Sequence, residues 1–180
     1  MINSALRTFL LINFLAINML YNSVIANEDQ RLFKAAFIYN FAKFTRWPKT
    51  PANDKNIEIK LCTLGEDQLV RDLTRLKGKV IKNKSLAVKP FTDPNECDML
   101  YIASSENKTY ISTLNSISRK PILTISEINN FALSGGMIEL NHNKGQTRIT
   151  ANLNATNKSQ LELSSRLLML SNIVYGTTRK

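Results

Sequence analysis

From Ile57 to Ile125, short apolar segments that alternate like strands are separated by segments with helical spacing, and that rhythm leaves few architectures open. Ile57, Ile59 and Leu61 alternate with Glu58 and Lys60, which predicts a strand. Gly65 turns the chain, and Glu66 to Leu76 predicts a helix with acids in its first turn, where the helix dipole favours them. Ser85 to Phe91 predicts a second strand, closed by Pro90, Asp93, Pro94 and Asn95. Cys97 to Ala103 is apolar on both faces, as a strand covered on both sides must be. A helix over Asn107 to Ile117, a strand over Pro121 to Ile125 and a short helix over Glu127 to Phe131 follow.

The flanks of this core complete the pattern. Residues 29–46 predict an amphipathic helix with Phe33, Phe37, Phe41 and Phe44 on one face, ended by Pro48. Phe37, Phe41 and Phe44 are read mainly as core, against the alternative of a partner groove or an aromatic ligand site. After Gly135 and Gly136, Met137 to Leu140 and Thr147 to Leu153 predict a hairpin turned at Lys144 and Gly145. A last helix is predicted from Ala155 to Val174, with Leu161, Leu163, Leu167, Leu168, Leu170, Ile173 and Val174 on a broad apolar face. The predicted fold is α/β: one three-layer domain with a mostly parallel central sheet, an antiparallel C-terminal hairpin and flanking helices.

The amino terminus predicts the compartment. Arg7 is the only charge before an apolar run from Phe9 to about Tyr21, and Ser23 to Ala26 supplies a small-residue exit. That is the layout of a secretory signal peptide, with residues 1–26 removed after Ala26 and a single domain over 27–180. The apolar run is too short and too interrupted for a comfortable bilayer span. The formal charge of the whole chain is +10, one less without Arg7. In an exported protein such a balance points away from nucleic acid and toward anionic envelope polymer, an acidic protein face or plain solubility. The basic run Lys77 to Lys84 reads as a solvated loop. Two cysteines, Cys62 and Cys97, in or beside predicted central strands favour one disulfide over two separate buried thiols. Such a bridge would close a loop of about 36 residues and contribute up to about 4 kcal/mol.

Catalytic chemistry finds little footing. His142 is the only histidine, and it falls in the predicted hairpin loop with no serine in a nucleophile elbow. One histidine and two distant cysteines do not make a zinc set. Gly65 alone cannot build a dinucleotide turn, and Glu66 and Asp67 would repel a phosphate there. The expectation is a protein that is not an enzyme, with no cofactor, no metal and no catalytic residue. Gly135 and Gly136 read as a backbone requirement rather than a site.

Several segments together resemble the YfiR-like family, periplasmic proteins with a DUF4154-type domain. They are Lys34 to Pro48, Ile59 to Gly65, Leu76 to Val80, Glu96 to Ser104, Pro121 to Ser126 with Phe131 and Gly135-Gly136-Met137, and Ile149 to Leu153 with Leu161, Ser164, Ser165, Leu167 and Leu168. The order and spacing hold over nearly the whole mature chain. The resemblance implies an exported, non-catalytic regulator with an α/β fold, often dimeric, whose disulfide Cys62 and Cys97 match. It also implies binding to the periplasmic region of a membrane diguanylate cyclase, which is held inactive so that cyclic di-GMP and biofilm formation stay low. Some relatives have a second cysteine pair, and this sequence has none.

A second reading is a small-molecule or envelope-polymer binding module with its ligand at the carboxyl ends of the parallel strands. For a partner surface, the exit of the first helix is the leading candidate, because Lys43, Arg46 and Trp47 join charge to aromatic area there.

Overall fold

The computed structural model describes residues 30–48, 57–143 and 146–176. The proposed signal peptide and the Lys144-Gly145 turn lie outside the described residues. Strand β2 (Glu58–Leu64) is the pivot of the sheet. It pairs in parallel with β4 (Lys84–Pro90) on one side and with β5 (Met99–Ile102) on the other. Strands β6 (Leu123–Ser126) and β7 (Ile138–Asn143) extend the sheet in parallel beyond β5. Strand β7 then pairs antiparallel with β8 (Gln146–Asn152), and β10 (Ser171–Val174) lies parallel on the outer side of β8. At the opposite edge β3 (Val80–Ile81) pairs antiparallel with β4. The eight-stranded order is β10-β8-β7-β6-β5-β2-β4-β3. The predicted hairpin is therefore present but not at the edge.

Alternation of side chains divides the core in two. On one face Leu61, Met99, Tyr101, Leu123 and Ile125 pack with Ile38 and Phe41 of α1 (residues 30–44) and with Leu69 and Leu73 of α2 (Gln68–Thr74). On the other, Cys62, Leu100, Ile102, Ile128 and Phe131 pack with Tyr110 and Leu114 of α3 (Tyr110–Ser116). The result is the expected three-layer α/β arrangement. The disulfide Cys62–Cys97 forms, with a Cα separation of 5.7 Å, and ties β2 to the approach of β5. The buried stripe of α1 runs through Ala35, Ile38, Phe41 and Ala42, while Phe37 and Phe44 are half-buried and Phe33 is exposed. The buried stripe is thus rotated from the predicted phenylalanine face, keeping Phe41 and setting Ile38 and two alanines beside it.

Two predicted helices are corrected. Residues 127–131 form no helix: 128 is a bend and 129–131 are turns. Ser126 Oγ accepts from Ile128 N at 3.1 Å, and Glu139 accepts from Asn130 N and Ala132 N at 3.2 and 3.0 Å. Side chains thus take the backbone donors a helix would have used. Gly136 lies against the Phe131 ring, where a Cβ would sit 2.1 Å from a ring carbon.

The predicted 155–174 helix is broken into four elements. Asn152 caps α4 (Leu153–Lys158) through Ala155 N, and Gln160, at φ 58°, ends it. Strand β9 (Glu162–Leu163) then pairs antiparallel with β1 (Thr45–Arg46). Ser164 caps α5 (Ser165–Met169), and β10 takes Ile173 and Val174, whose branched Cβ suits a strand.

Candidate functional site at the amino-terminal pole

The chain leaves β2 for β4 on one side and returns to β5 on the other, so the carboxyl ends of β2 and β5 form the switch-point crevice of a doubly wound sheet. Here the protein's own side chains occupy that crevice. Glu66 N donates to Ser105 Oγ at 3.1 Å, and a Cβ on Gly65, at φ +78°, would meet the same oxygen at 2.5 Å. Tyr101 donates its hydroxyl to Asp67 Oδ2 at 2.8 Å, while Asp67 Oδ1 accepts from Val70 N to cap α2. Burial first, then the neighbouring Asp67 and Glu127, holds the Tyr101 phenol far above its ordinary range, so it stays a neutral donor. Lys34 pairs with Glu127 just beyond β6.

Helix α1 carries the chain from this pole to the opposite one. There Trp47 donates its indole N–H to the Asp98 carbonyl at 3.1 Å, at the start of β5. The β1–β9 ribbon follows directly, in register Thr45 to Leu163 and Arg46 to Glu162, and Ser164 N donates to Phe44 O at 2.8 Å. The turn between β3 and β4 faces the same region. Its residues Lys82 and Asn83 have φ of 47° and 69°, the left-handed pair that a tight type I′ turn uses.

These segments enclose a cleft of about 160 Å³ lined by Lys43, Thr45, Arg46, Lys82, Glu162 and Ser164, among others. The Lys43 ammonium lies 4.6 Å from the centroid of Tyr39, whose hydroxyl donates to Val80 O at 2.5 Å. That arrangement holds the Lys43 ammonium over a ring that is itself tied to β3. Arg46 Nη1 donates to Glu162 Oε2 at 2.7 Å, with both side chains well exposed, so the pair contributes at most about 1 kcal/mol and can open. Thr45 is 3% exposed, and its Oγ1 has no hydrogen-bond partner among the described residues.

Of the three sequence-predicted contact residues, Lys43 and Arg46 come together at the cleft. Trp47 is half-buried against the main core and bonded to Asp98, so much of its surface is an anchor for α1. Sequence reasoning missed Lys82, which it read as part of a solvated loop, and Glu162, which it placed inside a helix. The left-handed turn at Lys82-Asn83 carries no strong turn dipeptide that would have marked it. His142 is exposed at the far end of the hairpin, its Nδ1 3.4 Å from Thr147 Oγ1. Among the described residues no group of three or more His, Cys, Asp or Glu is placed to hold a metal ion.

Residues 32–172 match the family described as YfiR/HmsC-like (DUF4154), and the chain belongs to that family.

Proposed function

We propose that this chain is an exported regulatory binding protein that docks on the periplasmic region of a membrane diguanylate cyclase and holds it inactive. Family membership over residues 32–172 is the observation that carries this reading. The disulfide suits an oxidising compartment, and no helix among the described residues is long and apolar enough to cross a membrane. In this reading residues 1–26 are the leader, 27–180 form one mature domain that pairs with a second copy, and the protein performs no catalysis itself. It needs none, because a binder that prefers the inactive receptor shifts the receptor's equilibrium by that preference alone.

The docking face in this reading is the amino-terminal pole, with Lys43 and Arg46 supplying charge and the edge of Trp47 supplying aromatic surface. Exposed cations at a rim steer an acidic partner and set its orientation. The test places a photo-crosslinking residue at position 43, and separately at position 108 on the opposite pole, in cells. Capture of a membrane diguanylate cyclase from 43 and not from 108 is expected. Equal capture from both positions would remove the assignment of the face. Capture of no cyclase from abundant folded bait would remove the cyclase as partner.

A further inference from the structure

We infer that the cleft at the amino-terminal pole binds one compact oxyanion, a carboxylate or a phosphate group. Three cations reach it from three separate segments: Lys43 from the end of α1, Arg46 from β1 and Lys82 from the β3–β4 turn. Among the described residues the only acid in the lining is Glu162, and its carboxylate is already engaged by Arg46. Like charges gathered around a concavity repel one another and focus a positive potential into it. A bound anion relieves that repulsion. The exposed Arg46–Glu162 pair is weak enough to exchange, and a guanidinium presents donors enough to face an incoming oxyanion while turning from Glu162.

Thr45 gives an independent sign. Thr45 lines the same cleft, and its buried hydroxyl has no partner among the described residues. A buried hydroxyl without a partner is a standing cost in the empty protein. A turn of the Thr45 side chain about its Cα–Cβ bond would bring that hydroxyl to a ligand oxygen in the cleft. The volume of about 160 Å³ admits a small anion or the end of an acidic side chain. This inference does not depend on the receptor reading, because the site belongs to the isolated mature chain.

The experiment is a titration of mature, isotopically labelled protein with sodium phosphate at constant ionic strength, followed by amide NMR shifts. A parallel titration uses a blocked glutamate, amidated and acetylated at its backbone ends. Saturable shifts confined to residues 43–46, 82 and 162–164 are expected. Lys43→Gln combined with Lys82→Asn is expected to weaken binding by about tenfold or more, while the remote Lys108→Gln leaves it unchanged. Glu162→Gln removes the internal competitor for Arg46 and is expected to tighten binding, which keeps the test decisive should the double variant fail to fold. Stronger binding of phosphate assigns the site to a free oxyanion, and stronger binding of the blocked glutamate assigns it to an acidic side chain. Shifts that stay linear with concentration, or that ignore both the double variant and Glu162→Gln, would overturn the inference.

Discussion

Glu139 is 4% exposed, yet it sits in a strand where simple alternation gives no reason to bury an acid. Its two oxygens accept from the backbone of Asn130 and Ala132, and the side-chain amide of Asn141 also donates to it. The carboxylate is the organiser of the 128–135 turns, since it satisfies donors that would otherwise be buried and unpaired. Glu139→Gln turns one acceptor oxygen into a donor facing a backbone N–H. It is expected to cost about 1–3 kcal/mol in urea unfolding, and an unchanged midpoint would show that water can replace the lost acceptor. Sequence alone could not show this role, because the partners of Glu139 are backbone groups in a segment whose apolar spacing imitates a helix. Gly136 was more legible. A glycine pair between periodic segments implies a close approach, and the Phe131 ring is what approaches.

The elements that came through best are those bounded on both sides by turn chemistry. Strand β2 ends at Gly65, β4 at Pro90 and the Asp93-Pro94 corner, and β5 is apolar throughout, as a strand buried on both faces requires. The carboxyl-terminal stretch failed for a physical reason. Leucine serves helix and core equally well, so the run from Leu161 to Val174 fits one long helix until Gln160 and Ser164 are seen as a stop and a cap. The candidate site suffered most from this error, since Glu162 and Ser164 belong to that stretch. The disulfide also acts between elements, locking β2 to the lead-in of β5 across a separation of 35 positions. Replacing Cys62 and Cys97 together by serine is expected to lower stability by up to about 4 kcal/mol. Thermal unfolding of the oxidised wild type against the double variant measures it, and equal melting temperatures would assign the bridge no stabilising role.

Taken as one object, the molecule has two unlike poles joined by α1: a self-filled acidic crevice at the carboxyl ends of the strands and a cationic cleft at their amino ends. At the amino-terminal pole, stability is coupled to pH through Asp98. Burial holds its carboxyl above the ordinary value of 3.8, against the lowering effects of the Lys60 N–H at 2.7 Å and of the Lys60 and Lys84 charges. The folded state therefore binds this proton more tightly than the unfolded chain. The stabilisation from protonation is complete below the ordinary value and disappears as pH rises through the folded one. Asp98→Asn keeps an acceptor for Lys60 N and removes the desolvated charge. Its advantage over wild type is expected to be near zero at about pH 3 and to grow to a plateau toward neutrality, read from urea unfolding across the range. A constant difference at every pH would assign the effect to packing.

The pairing of β1 with β9 joins positions 116 apart, Arg46 and Glu162. A ribosome adding about 5–20 residues per second makes the second half on the order of ten seconds after the first. Until then Thr45 and Arg46 have no strand to meet, and the cationic cleft lacks one of its walls. A chain cut short before residue 162 can lay down β2, β4, β5 and β6 and still lack one wall of that cleft. The cleft is thus among the last features of the fold to be completed, because its far wall waits for residues 162 to 164.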